Sequence, residues 1–275
     1  SAVSNSGGLG LIGSGSMYPD VLREHIQRCK DATDQPFGVN IPLIYPNIKE
    51  HIQIILDEGV EIVFTSAGSP NQYTSYLKDN GVKVAHVVSN KRFAVKCFEA
   101  EVDAIVCEGF EAGGHNGKEE LTTMCLIPMI KEAVETPLIA AGGIGSGRAM
   151  LAAMALGADG VQIGSLFAAS KESSAHSNFK RYILDSKVGD TDLTLKELTA
   201  VRLMKNPFYH QIQNAYSKGA NIAELKELLG RGRSKKGMFD GDLEEGELEI
   251  GQISAMIHKV LPARIIMRNL IQEFC

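Results

Sequence analysis

Residues 138–165 read LIAAGGIGSGRAMLAAMALGADGVQIGS, and this stretch decides the fold. A short apolar run, 138–143, leads through glycines into a segment with helical apolar spacing, and a second short apolar run, 160–165, follows. Two parallel strands need a crossover connection of a dozen or more residues, usually a helix. Strands joined by a helix are therefore expected to pair in parallel. The stretch therefore predicts one strand-helix-strand unit of a parallel sheet.

The same unit recurs along the first part of the chain. The other predicted strands are 9–13, 37–43, 62–67, 83–88 and 104–109. Several are apolar on both faces, as expected for strands with helices on one side and a barrel interior on the other. Residues 1–6 are predicted to be the end of a helix, and Gly7 and Gly8 are its predicted C-cap. We therefore expect an α/β fold, a (β/α)8 TIM-type barrel that lacks its first βα unit in this chain.

The alternation of predicted strands and helices ends after Ser165. The following residues show helical patches and no predicted strand, and helical apolar spacing returns from residue 250 to residue 274. These changes predict a division of the chain into three parts. The three predicted parts are a barrel domain at 1–176, a helical cap at 177–247, and a C-terminal helix at 248–275 that returns to the barrel.

Composition and charge exclude several classes of protein. The formal net charge is −5 at pH 7, and no apolar run is long enough for a membrane span, so neither nucleic acid nor a membrane is an expected partner. The five cysteines are widely spaced without a CxxC pair, which argues against disulfides and zinc. The acidic run 240–251 lacks the glycine and the final glutamate of a calcium loop. We expect a cytoplasmic protein without a metal.

Two glycine-rich turns follow neighbouring predicted strands. Gly142 and Gly143 lead into a helix, and Gly164 and Ser165 follow the next strand. Functional residues of parallel α/β folds lie at the carboxyl ends of strands, and backbone N–H groups at such turns bind phosphate. The alternative is that the glycines serve only the backbone angles of the turns. We favour a phosphate site.

The segment 108–117, EGFEAGGHNG, contains the candidate catalytic residue His115. Its four glycines let the backbone approach a flat ligand closely. A histidine with an ordinary pKa of about 6.5 is suited to take a proton from a substrate at neutral pH. The alternative is a surface histidine in a loop without a catalytic role.

Together these motifs resemble a known family. In their order and spacing they are similar to the flavin-dependent nitronate monooxygenases, formerly 2-nitropropane dioxygenases, and to the related FMN-dependent enoyl-ACP reductases of the second type. The segments that carry the resemblance are GGLGLIG (7–13), PFGVN (36–40), EGFEAGGHNG (108–117), AAGGIGSGRAM (140–150), GVQIGSLF (160–167) and KESSAH (171–176).

The resemblance implies a barrel with a helical cap that holds FMN at the barrel mouth, and it implies a role for single residues. Asn40, Gly68, Glu108 and Gly114 would line the flavin. The phosphate would lie at the two glycine-rich turns. His115 matches the histidine that the family uses as base or for substrate engagement.

The first functional hypothesis is an FMN-dependent oxidoreductase that oxidises nitronates or nitroalkanes with dioxygen. The alternative is an enoyl-ACP reductase in which NAD(P)H reduces FMN. Two further hypotheses are an inactive FMN-binding or structural relic without the first βα unit, and a phosphate-binding barrel lyase without redox chemistry. The expected partners are a small-molecule substrate, acyl carrier protein in the reductase case, and a second copy of the chain in a homodimer.

Overall fold

The structure is a computed structural model that describes residues 1–15 and 17–275. Within these residues, seven parallel strands form a curled sheet in the order β1, β2, β3, β4, β5, β7, β8. The strands are β1 (Gly10–Gly13), β2 (Phe37–Pro42), β3 (Ile62–Ser66), β4 (Lys83–Val88), β5 (Ala104–Glu108), β7 (Leu138–Ala141) and β8 (Gly160–Gln162). The predicted α/β barrel fold is confirmed.

Helices connect successive strands and cover the outer face of the sheet. They are α1 (Pro19–Ala32), α2 (Ile48–Asp57), α3 (Thr74–Asp79), α4 (Lys91–Glu99), α5 (Thr123–Lys131) and α6 (Gly147–Ala155), with the short α7 (Ser165–Ala168) after β8. Short 3-10 helices lie at Ser4–Ser6, Pro70–Gln72 and Gln252–Met256. In α1, Pro19 fits the first turn, and Leu22, Ile26 and Cys29 form one buried stripe at helical spacing.

Both faces of the strands are apolar, as the sequence predicts. In β5, Ile105 and Cys107 belong to the large core between the sheet and its helices. Val106, which points the other way, packs with Phe64, Ala85 and Ala141 inside the barrel. Parallel strands that are covered on both sides need this composition.

The cap contains helices and strands. Its helices are α8 (Ser177–Leu184), α9 (Pro207–Ser217), α10 (Ile222–Leu229) and α11 (Arg233–Met238). Two strands, β9 (Thr191–Thr194) and β10 (Val201–Met204), pair antiparallel, and β10 also pairs with β6 (Gly114–His115) of the barrel. The expectation of a cap without strands is wrong here, because β9 and β10 have four residues each and form by pairing with each other and, for β10, with the distant β6.

The C-terminal segment also differs from the expectation. The helical spacing from residue 250 predicts one helix, whereas α12 spans Ala263–Phe274 and the 3-10 helix precedes it. Pro262 is extended, with φ −60° and ψ 145°, and its ring excludes it from a helix interior. α12 packs against α6, where the Glu273 carboxylate accepts a hydrogen bond from Gly147 N at 3.0 Å. Among the described residues, no helix is long and apolar enough to cross a membrane.

The contact between α6 and α12 gives a stability prediction. A Cβ at Gly147 would overlap the Leu270 carbonyl oxygen. Gly147→Ala should therefore lower the free energy of unfolding by about 1 to 3 kcal/mol, measured by urea denaturation. The matched control is Gly160→Ala, because a Cβ there meets nothing within 4 Å. Equal losses in the two variants would show that the close approach of α12 does not contribute.

Candidate active site

A cavity of about 240 Å³ lies at the carboxyl ends of β5, β7 and β8. Glu108 lines it from the end of β5, Gly142 and Gly143 follow β7, and Gly164 and Ser165 follow β8. Met238 of the cap and Glu249 and Ile250 of the C-terminal segment line another side of it. Five of the residues that the sequence singles out therefore lie together.

The turn after β7 has backbone angles that glycine adopts readily and other residues do not. Gly142 and Gly143 have φ values of 89° and 70°, in the left-handed region. A Cβ at Gly142 would lie 2.6 Å from the Gly109 carbonyl oxygen, so the turn packs directly on the loop that follows β5. Ser146 then caps α6, because its hydroxyl accepts a hydrogen bond from Ala149 N at 3.2 Å. The turn is thus fixed at both ends.

The turn after β8 is more open. A Cβ built on Gly164 meets no atom within 4 Å, although Gly164 lines the cavity. The Ser165 hydroxyl accepts a hydrogen bond from Gly251 N at 3.0 Å. Its own proton remains for a ligand that accepts hydrogen bonds. This turn combines free space with a polar group.

Two polar side chains of the cavity have unusual properties, a carboxyl with a raised pKa and an amide oxygen without a hydrogen-bond partner. Glu108 lines the cavity and is half-buried, and burial raises the pKa of its carboxyl to about 7. The buried Gln162 Oε1 has no hydrogen-bond partner within residues 1–15 and 17–275. A buried acceptor without a donor is costly, so Gln162 Oε1 is available to a water or a ligand that donates a hydrogen bond. Nothing in the sequence singles out Gln162, although it lies in the GVQIGSLF motif.

Glu111 fixes the loop that follows β5. Both of its carboxylate oxygens lie 3.0 Å from Thr123 N, so Glu111 accepts a hydrogen bond from the first residue of α5. Its main-chain oxygen accepts a hydrogen bond from Gln252 N at 2.9 Å. Glu111 thereby connects the glycine-rich loop to α5 and to the C-terminal segment. An acidic residue among glycines gives no local signal of such a role.

His115 lies beside the cavity and does not line it. It forms β6 together with Gly114, and His115 and Val201 are partners in the antiparallel pairing with β10. Its side chain is exposed. Gly113, two positions earlier, lines the cavity, and a Cβ there would overlap the backbone of Ile250. His115 is therefore held by a strand pairing at the rim of the site.

Arg202 of β10 connects the cap to the loop that follows β5, and nothing in the sequence singles it out. Its exposed fraction is 2%, and burial lowers the pKa of its guanidinium. Nε and Nη2 both donate to the Phe110 carbonyl oxygen, at 3.0 and 2.9 Å, and the guanidinium lies 5.2 Å from the Phe110 ring centroid. The neighbouring Val201 and Leu203 pack in the apolar core of the cap. Strand alternation thus directs Arg202 toward the barrel.

Three residues that the resemblance assigns to the flavin lie outside the cavity lining. Asn40 is in β2, and its side-chain amide donates to the Phe64 carbonyl oxygen at 3.3 Å. Gly68 is exposed after β3. Gly114 has φ 79°, and a Cβ there would lie 2.6 Å from Glu249 Oε2. Asn40 and Gly68 lie at the same end of the sheet as the cavity, and their contact with a flavin remains a prediction.

Comparison with known proteins gives the class of this chain. A family model described as nitronate monooxygenase matches residues 1–51 and 46–273. A probable nitronate monooxygenase from Staphylococcus aureus is 31% identical, with coverage of 99% of this chain and 89% of the relative. A probable nitronate monooxygenase from Staphylococcus saprophyticus is 29% identical, with coverage of 98% and 89%.

Two solved structures are similar over nearly the whole chain. FabK from Thermotoga maritima is 40% identical with a TM-score of 0.94, and the match covers 99% of this chain and 86% of FabK. The nitroalkane oxidase from Streptomyces ansochromogenes is 26% identical with a TM-score of 0.85, and coverage is 99% and 90%. The fold and the site thus define an oxidoreductase built on an α/β barrel. The chain belongs to the nitronate monooxygenase family, whose members depend on flavin.

Proposed function

We propose that this chain binds FMN at the cavity and oxidises a nitroalkane or its nitronate with dioxygen. The observation that carries the proposal is the meeting of two glycine turns and an unpartnered acceptor in one cavity at the carboxyl ends of the strands. The backbone N–H groups of Gly143 and Gly164 and the Ser165 hydroxyl would hold the phosphate. Gln162 Oε1 would accept a hydrogen bond from the bound flavin or substrate.

The size of the cavity limits what it holds. Its volume of about 240 Å³ suits a part of FMN. The rest of the flavin would extend across the open end of the sheet, toward Asn40 and Gly68. This assignment accounts for the separation of these two residues from the cavity lining.

Two side chains of this protein would take or hold the proton that leaves the substrate. When bound, FMN accepts electrons from the substrate and passes them to dioxygen. His115, exposed at the rim, would take the proton from the carbon that carries the nitro group. Glu108, whose carboxyl pKa is raised by burial to about 7, would be a second group able to hold or release a proton beside the flavin at neutral pH.

The flavin assignment is tested by filling the open turn. Gly164→Val should raise the dissociation constant for FMN at least about tenfold, because its side chain would occupy space that the ligand needs. The measurement is fluorescence titration of the apoprotein with FMN. Gly160→Val is the control, since its Cβ also meets nothing within 4 Å and Gly160 does not line the cavity. Unchanged affinity in Gly164→Val would reject this phosphate site.

An enoyl-ACP reductase is the second candidate, and the 40% identity with FabK favours it. In that case NAD(P)H would reduce the bound flavin, and an enoyl chain on acyl carrier protein would be the substrate. Anaerobic addition of NADPH without a nitro compound separates the candidates, because only a reductase would bleach the flavin absorbance rapidly. A protein that stays colourless with added FMN would support the structural relic instead. A cytoplasmic location and a homodimer remain proposals.

A further inference from the structure

A single threonine, Thr123, lies behind the turn that follows β7. It is the first residue of α5, it is 8% exposed, and it stands outside the cavity lining. Its hydroxyl oxygen lies 2.9 Å from the Gly142 carbonyl oxygen, 3.1 Å from the Ala141 carbonyl oxygen and 3.2 Å from Glu111 Oε2. Three acceptors therefore surround a hydroxyl that has one proton to donate.

The other donors near these acceptors indicate where the proton of the hydroxyl goes. The Ala141 carbonyl oxygen already accepts a hydrogen bond from Gly109 N at 2.9 Å. Glu111 Oε2 already accepts one from Thr123 N at 3.0 Å. In the described part of the chain, no backbone N–H donates to the Gly142 carbonyl oxygen, which is also the nearest of the three acceptors. The Thr123 hydroxyl therefore donates to the Gly142 carbonyl oxygen.

This hydrogen bond sets the direction of the N–H group that follows in the chain. The peptide bonds of the turn are trans, and in a trans peptide the C=O of one residue and the N–H of the next point in opposite directions. Because the Gly142 carbonyl points toward α5, the Gly143 N–H points away from it. The Ala141 carbonyl also lies beside Thr123, so the same holds for the Gly142 N–H. Both N–H groups belong to residues that line the cavity.

The backbone around the turn does not use these two N–H groups. Over the residues that the structure describes, neither Gly142 N nor Gly143 N donates to a backbone carbonyl. Glu111 packs behind the turn, since a Cβ at Gly143 would lie 3.4 Å from Glu111 Cγ, and its carboxylate accepts a hydrogen bond from Thr123 N. Two adjacent N–H donors that face a cavity are suited to bind the oxygens of a phosphate.

We propose that Thr123 is a positioning residue for the phosphate of FMN, because its hydroxyl holds the Gly142 carbonyl and thereby directs the N–H groups of the turn into the cavity. The proposal rests on the proposed function, since it concerns the flavin that the site holds. Thr123 acts only through the turn and does not contact the ligand. Riboflavin has the same ring system as FMN and lacks the phosphate, so its binding should not depend on Thr123.

The test measures the dissociation constants of the apoprotein for FMN and for riboflavin by fluorescence titration. The wild type should bind FMN at least about tenfold more tightly than riboflavin, because only FMN makes hydrogen bonds to the turn through a charged group. Thr123→Val keeps the shape of the side chain and removes the donor. It should weaken the binding of FMN about tenfold and that of riboflavin less than about twofold. Thr123→Ser keeps the hydroxyl and should restore the wild-type preference for FMN.

The matched control is Thr122→Val, a change at the neighbouring threonine. The Thr122 hydroxyl caps α5, since it accepts a hydrogen bond from Cys125 N at 3.4 Å. Its removal weakens the start of the same helix and leaves the contact between Thr123 and Gly142 in place. Both dissociation constants should therefore stay unchanged in Thr122→Val. A loss of FMN affinity as large as that of Thr123→Val would show that the turn depends on α5 as a whole, and it would overturn the proposal.

The outcomes are separable from those of the proposed function. Equal losses of FMN and riboflavin affinity in Thr123→Val would make Thr123 a structural residue, and an unchanged affinity for FMN would also overturn the proposal. A wild type that binds FMN no better than riboflavin, or that binds neither, would reject the phosphate turn and the role of Thr123 together. A wild type that prefers FMN and oxidises no nitroalkane would reject the proposed substrate, while the two dissociation constants still decide the role of Thr123.

Discussion

Replacing His115 by alanine is expected to lower kcat/KM for a neutral nitroalkane about 10²- to 10⁴-fold, the range that loss of a general base produces. The proposed base takes the proton from the carbon next to the nitro group. A nitronate that is prepared in advance has already lost this proton, so its turnover should fall much less. The measurement is the ratio of kcat/KM for the two substrate forms, in which any loss of flavin cancels.

The exposed position of His115 makes this substitution informative. Its side chain is open to solvent, while its backbone pairs with Val201, so alanine should leave the fold intact. His210→Ala is the matched control, because His210 is exposed on α9 of the cap. Equal losses on the nitroalkane and the nitronate would show that His115 positions the substrate and does not move a proton.

Arg202→Leu should have the largest effect on stability, with a loss of about 3 kcal/mol in the free energy of unfolding. The variant leaves the Phe110 carbonyl oxygen without the two donors that now bind it. Arg202→Lys keeps the charge and cannot direct two donors to one oxygen, so it should be intermediate. Urea denaturation measures the loss.

A second measurement identifies the cause of that loss. Amide hydrogen exchange of Gly114 and His115 should accelerate in Arg202→Leu, because the loop that contains them would no longer be fixed to β10. Loss of stability with unchanged exchange at these amides would mean that Arg202 supports only the cap.

The sequence predicts the barrel well because its signal is local. Each unit combines a short apolar strand and an amphipathic helix, and glycine marks the turns at Gly142, Gly143 and Gly164. Both turns, together with Glu108, line the cavity in the structure. The two turns follow from the rule that sites lie at the carboxyl ends of parallel strands, whereas Glu108 is implied by the family resemblance.

The features that the sequence did not reveal depend on contacts between distant residues. β9 and β10 have four residues each, and their sequences show neither their pairing with each other nor the pairing of β10 with β6. Arg202 stands in an otherwise apolar strand, and only the position of Phe110 explains it. The acidic run 240–249 has the pattern of a solvated surface, whereas the fold buries Glu247 and brings Glu249 to the cavity. Spacing along the chain carries no information on such pairings.

The contacts of Gly251 and Gln252 have a consequence for the order of biosynthesis. Gly251 N donates to Ser165 Oγ, and Gln252 N donates to the main-chain oxygen of Glu111, so the last wall of the site comes from near the end of the chain. A ribosome releases the strands first, and domains fold as their sequence emerges. The barrel strands would therefore be in place well before the pocket closes. We expect a nascent chain that stops before residue 247 to retain no cofactor, and loading with FMN to be a late event in the maturation of this enzyme.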